Sequence, residues 1–244
     1  MEPVLIVSVS APVASFRRPL DHNYQRTLPL PPPTTLLGIA GAALGLPDRE
    51  LWDPQAGWSD LRVSTWMDEP PGKARDMWTV LKIISGKLGE RSPYFRELLF
   101  YVRYKLAYGG TTSQLEELAR AFRDPVFPLS LGRDDELMFV EDVTLCHAEA
   151  GDSVFGGTVL PCDIRKIPRL KPALAPGTAF EPPLVERLPV SFEVDKKGVR
   201  HPQKLQFFSF LPPGVQIEVP NLAPLQCAGQ NFVWLNSSPN QIPS

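Results

Sequence analysis

The chain of 244 residues is poor in the residue types that build metal sites and disulfide frameworks. It holds three histidines and three cysteines, and Cys146, Cys162 and Cys227 lie far apart with no Cys-x-x-Cys pair. Asp134, Asp135 and Glu136 follow Gly-Arg in a pattern typical of a solvated turn. We therefore expect no metal, no cofactor and no disulfide, and a reduced cytoplasmic protein.

Long apolar runs and the common catalytic fingerprints are also missing. No stretch approaches the run of about 20 apolar residues that a membrane helix needs, and the start, Met1-Glu2-Pro3, lacks the basic region of a secretory signal. Walker and Gly-x-Gly-x-x-Gly loops, Gly-x-Ser-x-Gly and His-Glu-x-x-His are absent. These absences argue against a membrane partner and against nucleotide-driven chemistry.

Proline is in excess, with 28 residues, where the usual frequency predicts roughly 12. Each proline removes a backbone donor and fixes φ, which excludes a mostly helical protein and favours short strands, edge strands and ordered connections. The hydrophobic fraction of 43% still provides a core.

The first 135 residues predict alternating strands and helices. The predicted order is a buried strand over 4–10, a helix over 36–44, strands over 61–67 and 100–106, a helix from about 113 to 124, and a strand over 127–131. That order is the ferredoxin-like split βαβ pattern of an α+β fold. The first and third strands should be central, and the fourth should lie at an edge because Pro128 cannot donate to a ladder.

Capping signals place the two helices. Thr34 or Thr35 should cap the first, and Gly45 should end it. Ser113 and Glu116 form a predicted capping box for the second, whose apolar stripe is Leu115, Leu118, Ala119 and Phe122. Glycines inside the first helix, Gly38 and Gly41, indicate close backbone approach, either of the sheet or of a ligand.

The chain divides into two predicted domains. Residues 1–150 should form the ferredoxin-like domain, with a basic, partly apolar excursion at about 70–92. Residues 151–244 hold short β-like runs and no helix pattern, which predicts a small, proline-rich β domain.

Charge is segregated although the net charge is only -2. Residues 73–105 hold eight Lys or Arg against three acids, whereas residues 106–150 hold three against nine. Such sorting offers one face to phosphates and another to a different partner, the alternative being two solvated faces.

Aromatic and basic residues are interleaved in a way that suits single-stranded nucleic acid. Phe16, Arg17, Arg18, Tyr24 and Arg26 lie in the first loop, and the third strand carries Tyr101, Arg103 and Lys105. The aromatic sequence of an RNA-recognition motif is missing from that strand. Binding through loops and helix ends is therefore favoured over binding across the open sheet.

Two segments resemble the Cas-five family, which are CRISPR-associated proteins of the RAMP superfamily. Ala14-Ser15-Phe16-Arg17, followed by the run from Leu28-Pro29-Leu30 through Pro33-Thr34-Thr35-Leu36-Leu37-Gly38 to Gly45, is similar to the N-terminal signature of that family. Pro128-Leu129-Ser130-Leu131-Gly132-Arg133 resembles its second block. The likeness covers about residues 1–135.

This resemblance implies an RNA-binding subunit of a type I CRISPR surveillance complex (Cascade) in antiviral defence. Such a subunit caps the 5′ handle of the crRNA and bridges the large subunit and a Cas-seven-type backbone subunit. The excursion at about 70–92 corresponds to a thumb that enters the RNA path. Target DNA near the PAM end is an additional partner that the resemblance leaves open.

The predicted RNA-binding residues come from the family resemblance and from the pattern of aromatic and basic residues. The resemblance supplies Ser15, Phe16, Arg17, Arg18, Thr34, Thr35, Gly38, Gly132 and Arg133, and the residue pattern adds Tyr24, Arg26, Lys82, Lys87 and Arg103. Two of these have a plain structural alternative. Phe16 is equally suited to the core, and Arg133 to an ion pair with Asp134 or Asp135.

Two other functions stay open. One branch of the family cuts precursor RNA without a metal, which needs a general base and a cation, and His22, Tyr24 and Lys82 or Lys87 are the residues available for it. We expect no catalysis, because the Lys-His pairing of that branch is not found. A protein-only scaffold, docking through the acidic block and an apolar thumb (Trp78, Leu81, Ile83, Ile84), is the third hypothesis.

Overall fold

The structure, a computed structural model, describes residues 1–84, 86–174, 176–177 and 181–237, without the side chains of Lys82 and Ile84. The elements of the N-terminal part, in chain order, are β1 (Glu2–Ala14), β2 (Tyr24–Gln25), α1 (Pro33–Leu44), α2 (Asp48–Leu51), β3 (Arg62–Trp66), β4 (Gly72–Ile84), β5 (Lys87–Gly109), α3 (Thr112–Arg123) and β6 (Phe139–Ala150).

The central sheet has the strand order β6-β1-β5-β3, and all its pairs are antiparallel. In chain order these are the fourth, first, third and second strands of the sheet, which is the 4-1-3-2 order of a ferredoxin-like fold. The prediction of the fold class, with central first and third strands, is therefore confirmed. Helices α1 and α3 cover one face of this sheet with the main hydrophobic core.

Strand β1 is buried on both faces, as its β-branched sequence predicts. Leu5 and Val7 pack toward the helices in the main core, whereas Val4 and Ile6 contribute to a second cluster on the opposite face with Phe232. A buried two-sided strand fixes the register of its neighbours, because a one-residue slip would exchange the two apolar sets.

Helix α1 begins three residues earlier than predicted. Pro33 occupies the first turn, Pro32 is the N-cap without a side-chain hydrogen bond, and Thr34 and Thr35 lie inside the helix. Proline suits this position because the first N–H groups of a helix have no intrahelical acceptor. Gly45 ends the helix in the left-handed conformation with φ 74°, as predicted.

Helix α3 carries the predicted apolar stripe but a different cap. The N-cap is Thr111, whose hydroxyl accepts from the Gln114 N–H while the Gln114 side chain accepts from the Thr111 N–H. The predicted box of Ser113 and Glu116 is therefore wrong. Both pairs fit the Ser/Thr-x-x-Glu/Gln spacing, and the earlier one begins the helix.

The fourth sheet strand was also misplaced by the sequence pattern. Residues 127–131 form a loop with one isolated bridge, Ser130 to Leu137, and the strand of the sheet is β6, about twelve residues later. Leu129 and Leu131 alternate because the loop inserts them into the core. The outer edge of β6 is partly covered, since Leu225 pairs with Ala150.

Strands β4 and β5 form a long antiparallel hairpin at the predicted excursion. β5 pairs with β1 and β3 through its C-terminal half and with β4 through residues 87–100. The short strand β2 pairs in parallel with Phe95 and Arg96. The hairpin is thus a continuation of the central strand, so the sheet directly positions its side chains.

The C-terminal part is built from short strands and one helical turn. These are β7 (Val154–Phe155), β8 (Val159–Leu160), a 3₁₀ turn (Ile164–Lys166), β9 (Pro172–Leu174), β10 (Leu184–Val194), β11 (Arg200–Phe210), β12 (Val215–Glu218), β13 (Leu225–Cys227) and β14 (Gln230–Phe232). Leu188 and Phe208 of the β10–β11 ribbon join the main core, and β13 pairs with β6. The domain boundary at residue 150 stays a prediction.

Within the described residues, the helices are all too short or too polar to span a bilayer.

Candidate nucleic-acid interface

The loop that leaves β1 is tied to the turn that precedes β6. The Ser15 hydroxyl donates to the Glu136 carboxylate at 2.6 Å, and the Ser15 N–H donates to the Leu131 carbonyl at 3.3 Å. Glu136 is buried and also accepts from the Arg133 N–H at 3.0 Å. This carboxylate therefore fixes the two segments that resemble family motifs against each other.

Gly132 permits the close approach of these segments. Its φ is 121°, and a Cβ built on it would lie 1.9 Å from the Ser15 carbonyl oxygen. Only glycine fits a backbone position that has such a positive φ and also lies in contact with another backbone segment. The side chain of the next residue, Arg133, therefore extends from a turn whose backbone conformation is fixed.

The Trp78 ring of the hairpin makes cation–π contacts with two guanidinium groups. The Arg133 Cζ lies 4.7 Å and the Arg96 Cζ 5.3 Å from the Trp78 ring centroid. Arg96 is held in place by the Asp76 carboxylate at 2.9 Å, and Arg133 lies 3.6 Å from that of Asp135. The aromatic ring thus orders two cations that belong to different parts of the fold.

These groups line a cavity of about 340 Å³, here called the Ser15–Arg133 cleft, which is bounded by the loop after β1, the Gly132 turn, the first turn of α1 and the hairpin. Among its described lining residues are four arginines and one carboxylate, namely Arg17, Arg26, Arg96, Arg133 and Glu97. The excess of positive charge suits phosphate groups, and the planar guanidinium favours bidentate contacts with them.

A second cavity of about 690 Å³, the Arg18–Lys73 cleft, shares Arg26 and Glu97 with the first. Its cations are largely paired in the structure. Arg18 lies 2.6 Å from Glu186, and Lys73 contacts Glu181. A phosphate entering this cleft would compete with the Glu186 and Glu181 carboxylates, as one at Arg96 would compete with Asp76.

Arg26 is engaged by a buried carboxylate. Its Nη2 and Nε donate to the two oxygens of Asp21 at 2.7 and 3.2 Å, and its N–H donates to the same group at 2.7 Å. Hydrogen bonds from the Arg26 side chain, and next from its backbone, hold the pKa of Asp21 below the usual value. Arg17 donates to the Asp21 carbonyl oxygen. Asp21 therefore organises the first loop.

The first turn of α1 forms another wall of the Ser15–Arg133 cleft through Thr35. One turn further, a Cβ on Gly38 would meet nothing within 4 Å, whereas a Cβ on Gly41 would lie 2.8 Å from Leu51. Packing against the rest of the chain thus explains Gly41 alone. For Gly38 the described neighbours leave open space.

Several predicted residues contribute no charge to the two clefts, although Phe16 is among the residues that line the Ser15–Arg133 cleft. Phe16 is buried in the core, with its ring 6.2 Å from that of Tyr104, so it cannot stack on a base. Lys87 is exposed at the base of the hairpin tip, and Arg103 is exposed on the far face of the sheet. The Lys82 side chain lies outside the described residues.

Tyr24 lies beside the second cleft, with its hydroxyl 3.1 Å from Glu97 and the Arg75 guanidinium over its ring at 5.8 Å. The residues that sequence reasoning missed are Trp78, Arg96 and Glu136. Trp78 had been assigned to an apolar docking surface, and only the hairpin register brings it to Arg133. No cluster of three or more His, Cys, Asp or Glu side chains that would hold a metal is found among the residues the structure covers.

Comparison with known families and structures gives a consistent result. The family model described as CRISPR-associated protein (Cas_Cas5) matches residues 4–168, about two thirds of the chain. The structure is similar to a chain of a CRISPR RNA-guided surveillance complex, with a TM-score of 0.55 and 17% identity over 86% of this chain and 91% of the other. It is also similar to a CRISPR protein from Archaeoglobus fulgidus, with a TM-score of 0.54 and 13% identity over 94% and 98%. These likenesses concern the fold, and no curated protein matches the sequence.

Proposed function

The chain belongs to the CRISPR-associated Cas5 family, the family that its sequence resembles, and on that premise we propose that it is the subunit that caps the 5′ handle of the crRNA in a type I surveillance complex. The observation that carries the proposal is the Ser15–Arg133 cleft, where Arg96 and Arg133 are ordered by Trp78 beside a backbone turn at Gly132.

The geometry of the cleft suits a bent single strand. Cations reach it from the first loop, the hairpin and the Gly132 turn, so phosphates of successive nucleotides meet charge on three sides. The first turn of α1 adds the positive end of a helix dipole, although Pro33 has no N–H and the Thr35 and Leu36 N–H groups donate to the Pro32 carbonyl. Contacts of this kind hold RNA by backbone and shape, which leaves the guide sequence free for base pairing with the target.

The hairpin supports a role for this subunit between protein neighbours. Met77, Ile83 and Phe95 are exposed large apolar side chains of β4 and β5. Several exposed large apolar side chains on one hairpin are typical of a protein contact. We assign it to the Cas-seven-type backbone subunit, with the large subunit on another surface.

We propose that this subunit is non-catalytic. His22 is exposed, and the hydroxyl of Tyr24 is already directed to Glu97, so neither is held toward a shared reaction centre. Metal-independent cleavage of precursor RNA stays the alternative. Incubating the purified protein with repeat RNA in a chelator should yield no product, whereas cleavage that disappears in His22→Ala would establish the alternative.

The proposed RNA binding is tested with Arg96→Ala/Arg133→Ala and a labelled 5′-handle RNA. The matched control, Arg120→Ala/Arg123→Ala, removes the same charge from exposed positions of α3. We expect the first variant alone to bind the RNA at least about tenfold more weakly than the wild type. The slope of log affinity against log salt concentration should also fall by about 1 to 2 in that variant. Equal affinity of both variants and the wild type would contradict the proposed site.

A further inference from the structure

Among the residues that the structure describes, the sheet face that points away from α1 and α3 is covered over only one half. Val4, Ile6 and Ala107 on that face are buried in the cluster that contains Phe232. On the other half, the aromatic side chains of Tyr101 and Phe139 are 83% and 64% exposed. Two large rings thus lie in solvent on the central sheet of an otherwise well-packed fold.

The strand register places these rings around an arginine. Ser10 of β1 pairs with Arg103 on one side and with Phe139 on the other, so the three side chains form one row on the same face. Arg103 and Phe139 are therefore two strand spacings apart, about 10 Å. Tyr101 lies two residues from Arg103 along β5, opposite the exposed Pro12.

Tyr101 has a backbone conformation that its side chain disfavours. Its φ is 53°, although the flanking pairs Ala11–Val102 and Val13–Phe100 are regular. A bulky residue in the left-handed region is an outlier, and such strain concentrates where function uses it. Core packing does not explain it, because the ring is in solvent.

The cations of this half face lie on the central strand β5. Arg103 is exposed, and Lys105 donates from Nζ to the Ser8 hydroxyl at 2.7 Å. Two carboxylates lie next to them on β6, namely Asp142, which pairs with Ser8 and accepts from the Thr144 hydroxyl at 2.5 Å, and the exposed Glu141 in the bulge between Asp142 and Val140. Exposed aromatic rings between cations on an antiparallel sheet provide stacking surfaces for bases and counter-charges for phosphates.

The end of β1 leads from this half face to the proposed handle site. From Ser10, β1 runs to Ser15 at the Ser15–Arg133 cleft, a distance of about 16 Å for five extended residues. We propose that the half face of Tyr101, Arg103 and Phe139, here called the Tyr101–Phe139 face, binds the single-stranded RNA that extends beyond the cleft. One base stacks on Tyr101, another stacks on Phe139, and the phosphate between them lies on Arg103. The inference rests on the proposed function, because the cleft supplies the RNA.

The test compares two labelled RNAs on the full chain, a handle segment of about eight nucleotides and the same segment extended to about 20 nucleotides. The variant is Tyr101→Gly/Phe139→Ala. Tyr101→Phe retains the ring, and Leu205→Ala removes an exposed apolar side chain of β11 as a matched control. Because glycine accepts a positive φ, Tyr101→Gly should leave thermal stability equal or higher, so weak binding would not reflect misfolding.

We expect the double variant to bind the long RNA at least about tenfold more weakly, with unchanged affinity for the short RNA and no effect in either control. Unchanged affinity for the long RNA, together with weak binding by Arg96→Ala/Arg133→Ala, would overturn this inference and leave the proposed function intact. If the wild type binds neither RNA, both fail. Normal RNA binding with lost assembly of partner subunits would make the face a protein contact, and this also overturns the inference.

Discussion

Ser15 and Glu136 are joined by a 2.6 Å hydrogen bond across 121 residues of sequence. The bond holds the end of β1 against the turn before β6, and so it fixes the position from which the Arg133 side chain extends. Arg133 then stacks on Trp78, which belongs to a third segment. The candidate site thus depends on a buried carboxylate that does not itself line the cleft.

Glu136→Ala should destabilise the protein. The change leaves the Ser15 hydroxyl and the Arg133 N–H without their acceptor, and buried hydrogen bonds to a charged group contribute about 1.5–3 kcal/mol. Urea unfolding should therefore give a free energy of unfolding lower by about 2 kcal/mol. Asp135→Ala, at an exposed position of the same turn, is the control and should change it little. Equal values for the two variants would contradict the role of Glu136.

Gly132→Ala should cost more, about 3 kcal/mol or higher, because the methyl group would overlap the Ser15 carbonyl oxygen and φ is 121°. Gly198→Ala is a matched control with φ 82° and open space around the added carbon. It should cost about 1 to 2 kcal/mol from backbone strain alone. Thermal and urea unfolding of both variants measure the difference, and equal losses would show that the close approach is unimportant.

Glu186→Gln should strengthen RNA binding severalfold, because Glu186 competes with phosphate for Arg18. Arg18→Gln should weaken it. Both substitutions break the same ion pair, so a change in stability alone would move the two affinities in one direction. Fluorescence anisotropy at low and physiological salt measures both, and weaker binding by Glu186→Gln would contradict a role for the Arg18–Lys73 cleft.

Asp21→Asn should remove an acid-sensitive part of the stability. The pKa of Asp21 is depressed in the folded protein by Arg26, so the stabilisation is complete above about pH 5 and is lost as pH falls below about 4 and through the folded pKa. Wild type and variant should therefore differ at neutral pH and converge in acid. Urea unfolding over this range, with Asp60→Asn at an exposed position as control, decides it. A difference that persists unchanged at low pH would contradict the assignment.

Two thiols should be unreactive in the native protein. Burial raises the pKa of Cys162 to about 11, and burial together with the Cys227 thiol, whose sulfur lies 2.7 Å away, raises that of Cys146 to about 12, so little thiolate exists near pH 8. Alkylation followed by mass spectrometry should label both positions slowly in buffer and rapidly in urea. Native labelling of either position at the rate of a small free thiol would contradict the buried environment.

Local patterns were sufficient for much of the fold. The apolar β1, the stripe of α3 and the glycine end of α1 each depend on neighbouring residues, and all were predicted correctly. The fourth strand was not, because Leu129 and Leu131 alternate while a loop buries them. Alternation reports burial on one side, which a strand and an inserted loop share.

The candidate site was also predicted in part from the sequence. The family resemblance pointed to Ser15, Gly132 and Arg133, which the structure brings to one cleft. Trp78 and Arg96 were missed because their meeting with Arg133 depends on the register of a long hairpin, which has no local signal. Phe16 belongs to the core, where its sequence neighbourhood alone could not distinguish packing from stacking.

Crosslinking of bound RNA in the assembled complex tests the central claim most directly. Ultraviolet crosslinking, digestion and sequencing identify which end of the guide contacts the peptides that contain Trp78 and Arg133. The account predicts the 5′ repeat-derived handle at both peptides, whatever the spacer sequence. Crosslinks that map the 3′ end to them, or RNA that crosslinks elsewhere on the chain and never to these peptides, would contradict it.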